Sequence, residues 1–318
     1  MSRYLDPKAD VVFKKIFGGH PKLLISFLNA VLPLASSRPI VELVYLPTEQ
    51  VPDIPEFKRT IADVKCTDAQ GRVFIVEMQM NWTDSFKQRL LFGTSQAFVK
   101  QLEKGKEYKF LQPVYGLGLV AETYEIHSTE WYHHYQLVKK GNLDSDVIEH
   151  LQLVFIELPK FPVHSTTEKK LRLLWLRFLR EIDEKTKVVS KELLAVPEIA
   201  EAIRLSEESA YTPGELDVYQ SYWDSVSREK TLMMDRFDAG KLEGIQEGKL
   251  EGIQEGKLEG IQEGKLEGIR EGKLEGRQEG KLEIAKKMFA EGYDVVLIEK
   301  VTGVHWDQDA LRGRAPQS

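Results

Sequence analysis

Residues Ile61 to Met80 read IADVKCTDAQGRVFIVEMQM, two alternating runs separated by Asp68-Ala69-Gln70-Gly71. This is the pattern of a β-hairpin closed by a short glycine-containing loop. With Ala69-Gln70-Gly71 as a three-residue loop and Gly71 supplying the positive φ, Asp68 faces Arg72, Lys65 faces Ile75 and Asp63 faces Glu77. One face then carries Ala62, Val64, Cys66, Phe74, Val76, Met78 and Met80, all apolar, and is the side expected to be buried. The other carries Asp63, Lys65, Glu77 and Gln79 among Ile61, Thr67, Val73 and Ile75. Two carboxylates opposite each other on neighbouring strands repel, so the pattern calls for something positive between them. A divalent cation is the simplest candidate.

Working outward, Asp10 to Phe17 opens a helical pattern that resumes after Gly18-Gly19-His20-Pro21, with Pro21 suited to a first helical turn. Pro39 to Leu46 reads as a short strand. After the hairpin, Thr83 to Lys104 is expected to be a helix capped at Thr83 or Asp84, with Phe86, Leu90, Leu91, Ala97, Phe98 and Leu102 at helical spacing and Gly105 ending it. Val114 to Ala121 reads as a buried strand, giving the order helix, strand, strand, strand, helix, strand. Trp131–Val138 and Leu151–Leu158 read as further strands. Pro159 and Pro162 mark a boundary, and Thr166 to Arg236 turns helical. His133 and His134 point to opposite sides of any strand, so they do not pair on one metal, and a surface role is expected.

The 318 residues suffice for one full domain with a sizeable core and something extra. The single cysteine, Cys66, lies on the apolar face of the hairpin, which excludes a disulfide framework or a cysteine zinc cluster and implies a reducing, cytoplasmic setting. No run approaches the ~20 apolar residues that span a bilayer, so no membrane partner is expected. Charge excludes a general basic surface for nucleic acid: residues 1–160 carry 19 basic and 19 acidic side chains, and no later segment has a basic excess. Phosphate binding would have to come from a local site.

From Gly240 to Glu283 the chain repeats an octapeptide, GKLEGIQE, with glycine at every fourth position. It reads either as a solvated linker or marginal helix, or as a helix that associates with a partner. Each glycine costs about 1 kcal/mol relative to alanine in a helix, and an eight-residue unit fits neither the seven-residue nor the eleven-residue supercoil. Residues 284–318 outline a helix, a turn at Glu291-Gly292-Tyr293 and a second short helix. Their balanced charge favours a docking or capping element over a reader of DNA sequence.

With these elements in place, the chain resembles the PD-(D/E)XK nuclease superfamily, and within it the Rpn family of recombination-promoting nucleases and transposase-like proteins. The resemblance is carried by DVVFKKIFG from Asp10, the IADVKCTDAQGRVFIVEMQ hairpin, and RLLFGTSQAFVKQLEKGKEY leading into PVYGLGLV. It implies an α/β fold with a restriction-endonuclease-like αβββαβ core over residues 1–160. An α-helical extension over 161–239, the repeat tail over 240–283 and the terminal element over 284–318 would follow. Repeated glycine- and glutamate-rich tails recur in such proteins.

Carried over residue by residue, the resemblance makes Asp63 and Glu77 the metal-binding acids and puts Gln79 at the lysine position of the E-x-K motif. A neutral amide there can orient but cannot supply charge, and Lys65, on the same face, is the candidate replacement cation. The Met78 carbonyl is a candidate third metal ligand. Asp10 is either a helix cap or an accessory acid, and Arg89 either contacts phosphate or pairs with an acid. The implied cofactor is Mg²⁺, with Mn²⁺ as a substitute, and the implied partner is DNA, cut by phosphodiester hydrolysis in recombination or mobile-element biology. The competing expectation is a nuclease-fold protein without catalysis, acting as an oligomerising or DNA-docking module.

Overall fold

In the computed structural model of the chain, residues 3–50, 60–102, 107–141, 147–162 and 170–305 are described. The chain divides into two units, Met1–Met234 and Asp235–Ser318.

The first unit opens with α1 (Asp10–Phe13), which runs into a π-helical stretch over Lys14–Gly18, and α2 (Pro21–Val31), with Pro21 in its first turn. Next come β1 (Leu43–Tyr45), β2 (Glu49–Gln50), β3 (Thr60–Ile61), β4 (Val64–Asp68), β5 (Val73–Gln79) and α3 (Ser85–Val99). Strands β6 (Val114–Val120), β7 (Tyr132–Val138) and β8 (Val147–Glu157) follow, then α4 (Lys170–Glu181), α5 (Lys191–Leu194) and α6 (Pro197–Leu205). Helix α7 (Pro213–Ala290) begins in this unit. The main sheet has the order β1-β4-β5-β6-β8-β7. Its β5–β6 and β6–β8 pairs are parallel and the others antiparallel, while β2 and β3 form a separate pair.

The closed end of the hairpin follows the expected register. Lys65 pairs with Ile75 and Cys66 with Phe74, Gly71 has φ 81°, and the Asp68 N–H donates to the Arg72 carbonyl at 3.1 Å. The Asp68 carboxylate also accepts from the N–H groups of Gln70 and Arg72, and the Arg72 guanidinium closes a buried ion pair with it at 2.6 Å.

The open end differs. β4 starts only at Val64, the chain bends at Asp63, and Thr60–Ile61 leaves to pair with β2. Asp63 and Glu77 are therefore not a ladder pair, and Ala62 packs with Val73, Ile75 and Phe86 instead of on the Val64 side. Alternation holds only as long as the ladder runs, and a bend resets which side a residue faces.

Both sheet faces are covered. Val64, Cys66, Phe74, Val76, Leu117, Leu119, Val154 and Ile156 pack into a large core with Phe13, Phe17, Phe27, Trp175 and Ile203, side chains from α1, the π-helical stretch, α2, α4 and α6. On the opposite face Val73, Ile75, Val114, Val120 and Phe155 lie under Phe86, Leu90 and Ala97 of α3. Gly116 and Gly118 of β6 let α3 approach closely. A Cβ at Gly116 would sit 2.5 Å from Thr94 Oγ1, and one at Gly118 2.9 Å from Phe155 and 3.0 Å from Phe86.

Two other elements depart from the sequence expectation. The strand expected over Pro39–Leu46 shrinks to Leu43–Tyr45, because the Asn29 side chain takes both the N–H and the carbonyl of Ile40 at 2.8 Å. Helix α3 ends at Val99, and Gly105 lies outside the described residues. Asp84 occupies its N-cap position without a side-chain capping bond.

In the second unit α7 continues as helix through every octapeptide. Among the two sequence readings, the repeat is helical and its side chains are exposed. The turn after it uses Gly292 at φ 89°, and α8 (Val295–Thr302) ends on Gly303 at φ 68°. Ala285, Ile298 and Thr302 are buried there. Among the described residues, no helix is long and apolar enough to cross a membrane.

Candidate active site

Glu77 and Gln79 occupy alternate positions near the end of β5 and so point to the same face as Ile75, the face that α3 covers. Helix α3 turns Phe86, Leu90, Thr94 and Ala97 into the sheet, which leaves Arg89 on its flank. From there Arg89 Nε donates to Glu77 Oε2 at 3.3 Å, and its Nη2 donates to Gln79 Oε1. The other end of the Gln79 amide donates to the Asn81 carbonyl at 2.7 Å.

Asp63 reaches the same place from its bend. Its Oδ2 accepts the Met78 N–H at 2.7 Å, a bond the main-chain ladder would otherwise have to supply beyond the start of β4. The Gln79 carbonyl accepts from Ala121 N–H on the β6 side. The Met78 carbonyl, one residue earlier, therefore points to the opposite side of the strand, where Asp63 lies.

The two carboxyl groups are hard to ionise together. Burial pushes Asp63 up to about 6, helped by the charge of Asp10 and opposed by the Met78 N–H, Lys14 and Arg89. Burial likewise pushes Glu77 up to about 7, with Arg89 opposing the shift and the Asp63 charge adding to it. Arg89 is too exposed, at 44% of its side chain, to compensate fully for a glutamate only 9% exposed.

The remaining sequence candidates are spread around this corner. Lys65 stands opposite Ile75, one alternate position back from Glu77. Its ammonium is held below the usual lysine range by burial and by the charge of Lys100. Asp10 is not a helix cap: Ala9 takes the N-cap position, and Asp10 pairs with Lys14 at 2.7 Å. Tyr222 of α7 faces the same charges. Burial raises its hydroxyl first, then Asp10 and Asp63.

A family model described as PD-(D/E)XK nuclease family transposase matches residues 7–232. The chain belongs to this family. Neither the curated proteins nor the solved structures contain a significant match to it. The PD-(D/E)XK match spans the sheet, α3 and the helices through the start of α7, and so includes every residue of the corner just described.

This PD-(D/E)XK chain also holds a second group that sequence reasoning missed. Glu125, His133 and Glu157 bring potential ligand atoms within 4.8 Å of one another, the one such group of three among the described residues. Glu157 is fully buried; its Oε1 is bonded to His133 Nε2 and Lys160 Nζ, each at 2.8 Å, and its Oε2 accepts from Tyr124 N–H at 2.9 Å. Burial works to raise its carboxyl, but Lys160, Tyr124 and His133 together hold it below the usual range. An ammonium thus already stands where a cation would compensate the glutamate. His133 is buried, against the surface role expected for it, because β7 turns it onto β8 at that carboxylate. No local spacing signals this contact, since Glu157 lies 24 residues away.

Proposed function

We propose that the protein is a Mg²⁺-dependent DNA endonuclease that hydrolyses phosphodiester bonds, with a role in recombination or mobile elements as the family description suggests. What supports this is that Asp63 accepts the Met78 N–H beside Glu77 at the end of β5, with both carboxyl groups buried short of positive charge. Their chemistry fits a hard cation. Asp63 binds Met78 N–H through Oδ2 and Glu77 binds Arg89 through Oε2, which leaves Oδ1 and Oε1 for coordination, with the Met78 carbonyl on the Asp63 side as a third oxygen. Mn²⁺ would be accepted in place of Mg²⁺ by the same donors.

When bound, the cation supplies Lewis-acid stabilisation of the charge that develops on the phosphate. The side chains do the rest. Gln79, gripped at both ends, orients a water molecule or phosphate oxygen but carries no charge. Arg89 is the cation at Glu77 and Gln79, and its exposed guanidinium has donors left for a phosphate. Lys65 of β4, opposite Ile75, would face the scissile phosphate. A cytoplasmic setting suits the lone buried thiol, Cys66.

The test is nicking of supercoiled plasmid with Mg²⁺, with EDTA, and by Asp63→Ala and Glu77→Ala. Nicking that requires the metal and both carboxylates is expected; nicking that survives in both variants rules the proposal out.

A second reading concerns α7, and one observation favours it. Leu250 and Ile253 are each 59% exposed, and their counterparts in the other octapeptides are exposed to a similar degree. Within one octapeptide Lys, Ile and Leu lie on one side of the helix, and the glycines and glutamates on the other. Leucine and isoleucine fit glycine notches, and lysine complements glutamate, so a second copy of the same helix is the proposed partner. The stripe turns by about 80° per octapeptide, so two copies cross over a short length. Deletion of residues 240–283 should lower the number of chains per particle measured by light scattering, and an unchanged number overturns self-association through the repeats.

A further inference from the structure

The end of β5 is tied to α7 by a buried amide. Asn81 is 3% exposed. Its main-chain carbonyl accepts from Gln79 Nε2 at 2.7 Å, and its side-chain Nδ2 donates to the Val226 carbonyl at 3.2 Å and to Glu229 Oε2 at 3.1 Å, so the side chain fixes the position of the carbonyl. A parallel tie runs from Trp82 N–H to Glu122 Oε2 at 2.9 Å and from Glu122 Oε1 to Lys230 Nζ at 3.6 Å. Tyr222, Val226 and Glu229 are spaced by four and three residues and so share one face of α7. The same face that holds Asn81 therefore carries Tyr222 toward Asp10 and Asp63.

Gln79 depends on this tie because of what it is. A lysine at this position would be drawn toward carboxylates and phosphate by its charge. An amide has only directional hydrogen bonds and two ends that must be fixed separately. Arg89 holds the oxygen and the Asn81 carbonyl holds the nitrogen. Without the second anchor the amide could turn about its last bond and present the wrong atom.

We propose that Asn81 is a positioning residue of the site, holding the Gln79 amide in one orientation because α7, through Val226 and Glu229, holds Asn81. The proposal rests on the metal-dependent nuclease reading above. The experiment compares Asn81→Ala in the otherwise natural chain and in a Gln79→Ala background, following plasmid nicking at saturating Mg²⁺ and Mn²⁺ binding by electron paramagnetic resonance. If Asn81 acts through Gln79, kcat falls about tenfold with KM for DNA unchanged, and the same change adds nothing once Gln79 is gone. Mn²⁺ affinity stays within about twofold, since no proposed ligand is lost.

An equal fall in both backgrounds, or an unchanged kcat, overturns the inference. Should Asn81→Ala not fold, Glu229→Ala, at a solvent-exposed residue of α7, replaces it in the same comparison, with a fall of about threefold expected in the Gln79 chain only. A natural chain that binds no Mn²⁺ and does not nick overturns the nuclease reading, and this inference with it. That failure is seen without any variant and so is distinct from the others.

Discussion

The corner at the end of β5 and the octapeptide helix use the same residue types, glutamate, glycine, glutamine and a basic side chain, to opposite effect. In the corner Glu77 is 7% exposed and its carboxyl rises to about 7. In the helix the glutamates are exposed to solvent. Glycines 116 and 118 stand where a methyl group would collide with α3 or β8, whereas those from Gly240 to Gly280 have nothing within 4 Å of a would-be Cβ. A carboxylate acquires chemistry from what removes its water, and a glycine acquires a purpose from what comes close to it. Composition records neither.

The largest effect that would break this contrast is on activity. Glu77→Ala should lower plasmid nicking by about a hundredfold or more, while Glu251→Ala in the repeat should leave the rate unchanged. Comparable losses from the two would mean that burial is not what distinguishes them.

Stability against pH comes next. The folded-state carboxyl of Glu77 titrates above its ordinary value, so the metal-free folded protein binds more protons than the unfolded chain between about pH 4.5 and 7, and stability falls as pH rises through that window. Glu77→Gln removes the penalty, and in urea denaturation at pH 8 without metal it should be the more stable protein by about 3 kcal/mol. The difference should vanish near pH 4.

The glycines sharpen the same comparison at smaller scale. Gly116→Ala drives a methyl group toward Thr94 and Leu153, and should cost about 2 kcal/mol in urea denaturation. Gly252→Ala meets open space on a helix and should raise helix content, read by circular dichroism, with a gain of about 1 kcal/mol. A stabilising Gly116→Ala would show that α3 does not need its close seat on β6, and Arg89 would lose its explanation.

Much of the first unit could be read without coordinates, because the signals are local. The hairpin loop follows from Gly71 and the Asp68 side chain that closes on the loop, and the Lys65–Ile75 register follows from the loop. Helix α3 follows from its spacing of apolar residues. The bend at Asp63 was not readable, since it depends on Thr60–Ile61 finding β2 instead of continuing beside β5. Nor was the choice of cation. Lys65 and Arg89 were both candidates by position, and only the seating of α3 on Gly116 and Gly118 brings Arg89 onto Glu77 and Gln79. The His133–Glu157 and Asn81–Glu229 contacts join residues 24 and 148 positions apart, beyond the reach of any periodicity.

By itself the sequence determined the hairpin, the order of its neighbouring elements, the family, and which two carboxylates to watch. Those depend on turn chemistry and on the two periodicities of strand and helix, which act over a few residues. The tertiary structure alone decided that Asp63 accepts from the Met78 N–H beside Glu77, that Arg89 reaches Glu77 and Gln79, and that α7 holds Asn81 next to them. These depend on which distant surfaces exclude water from one another, and a chain read in order contains no record of that.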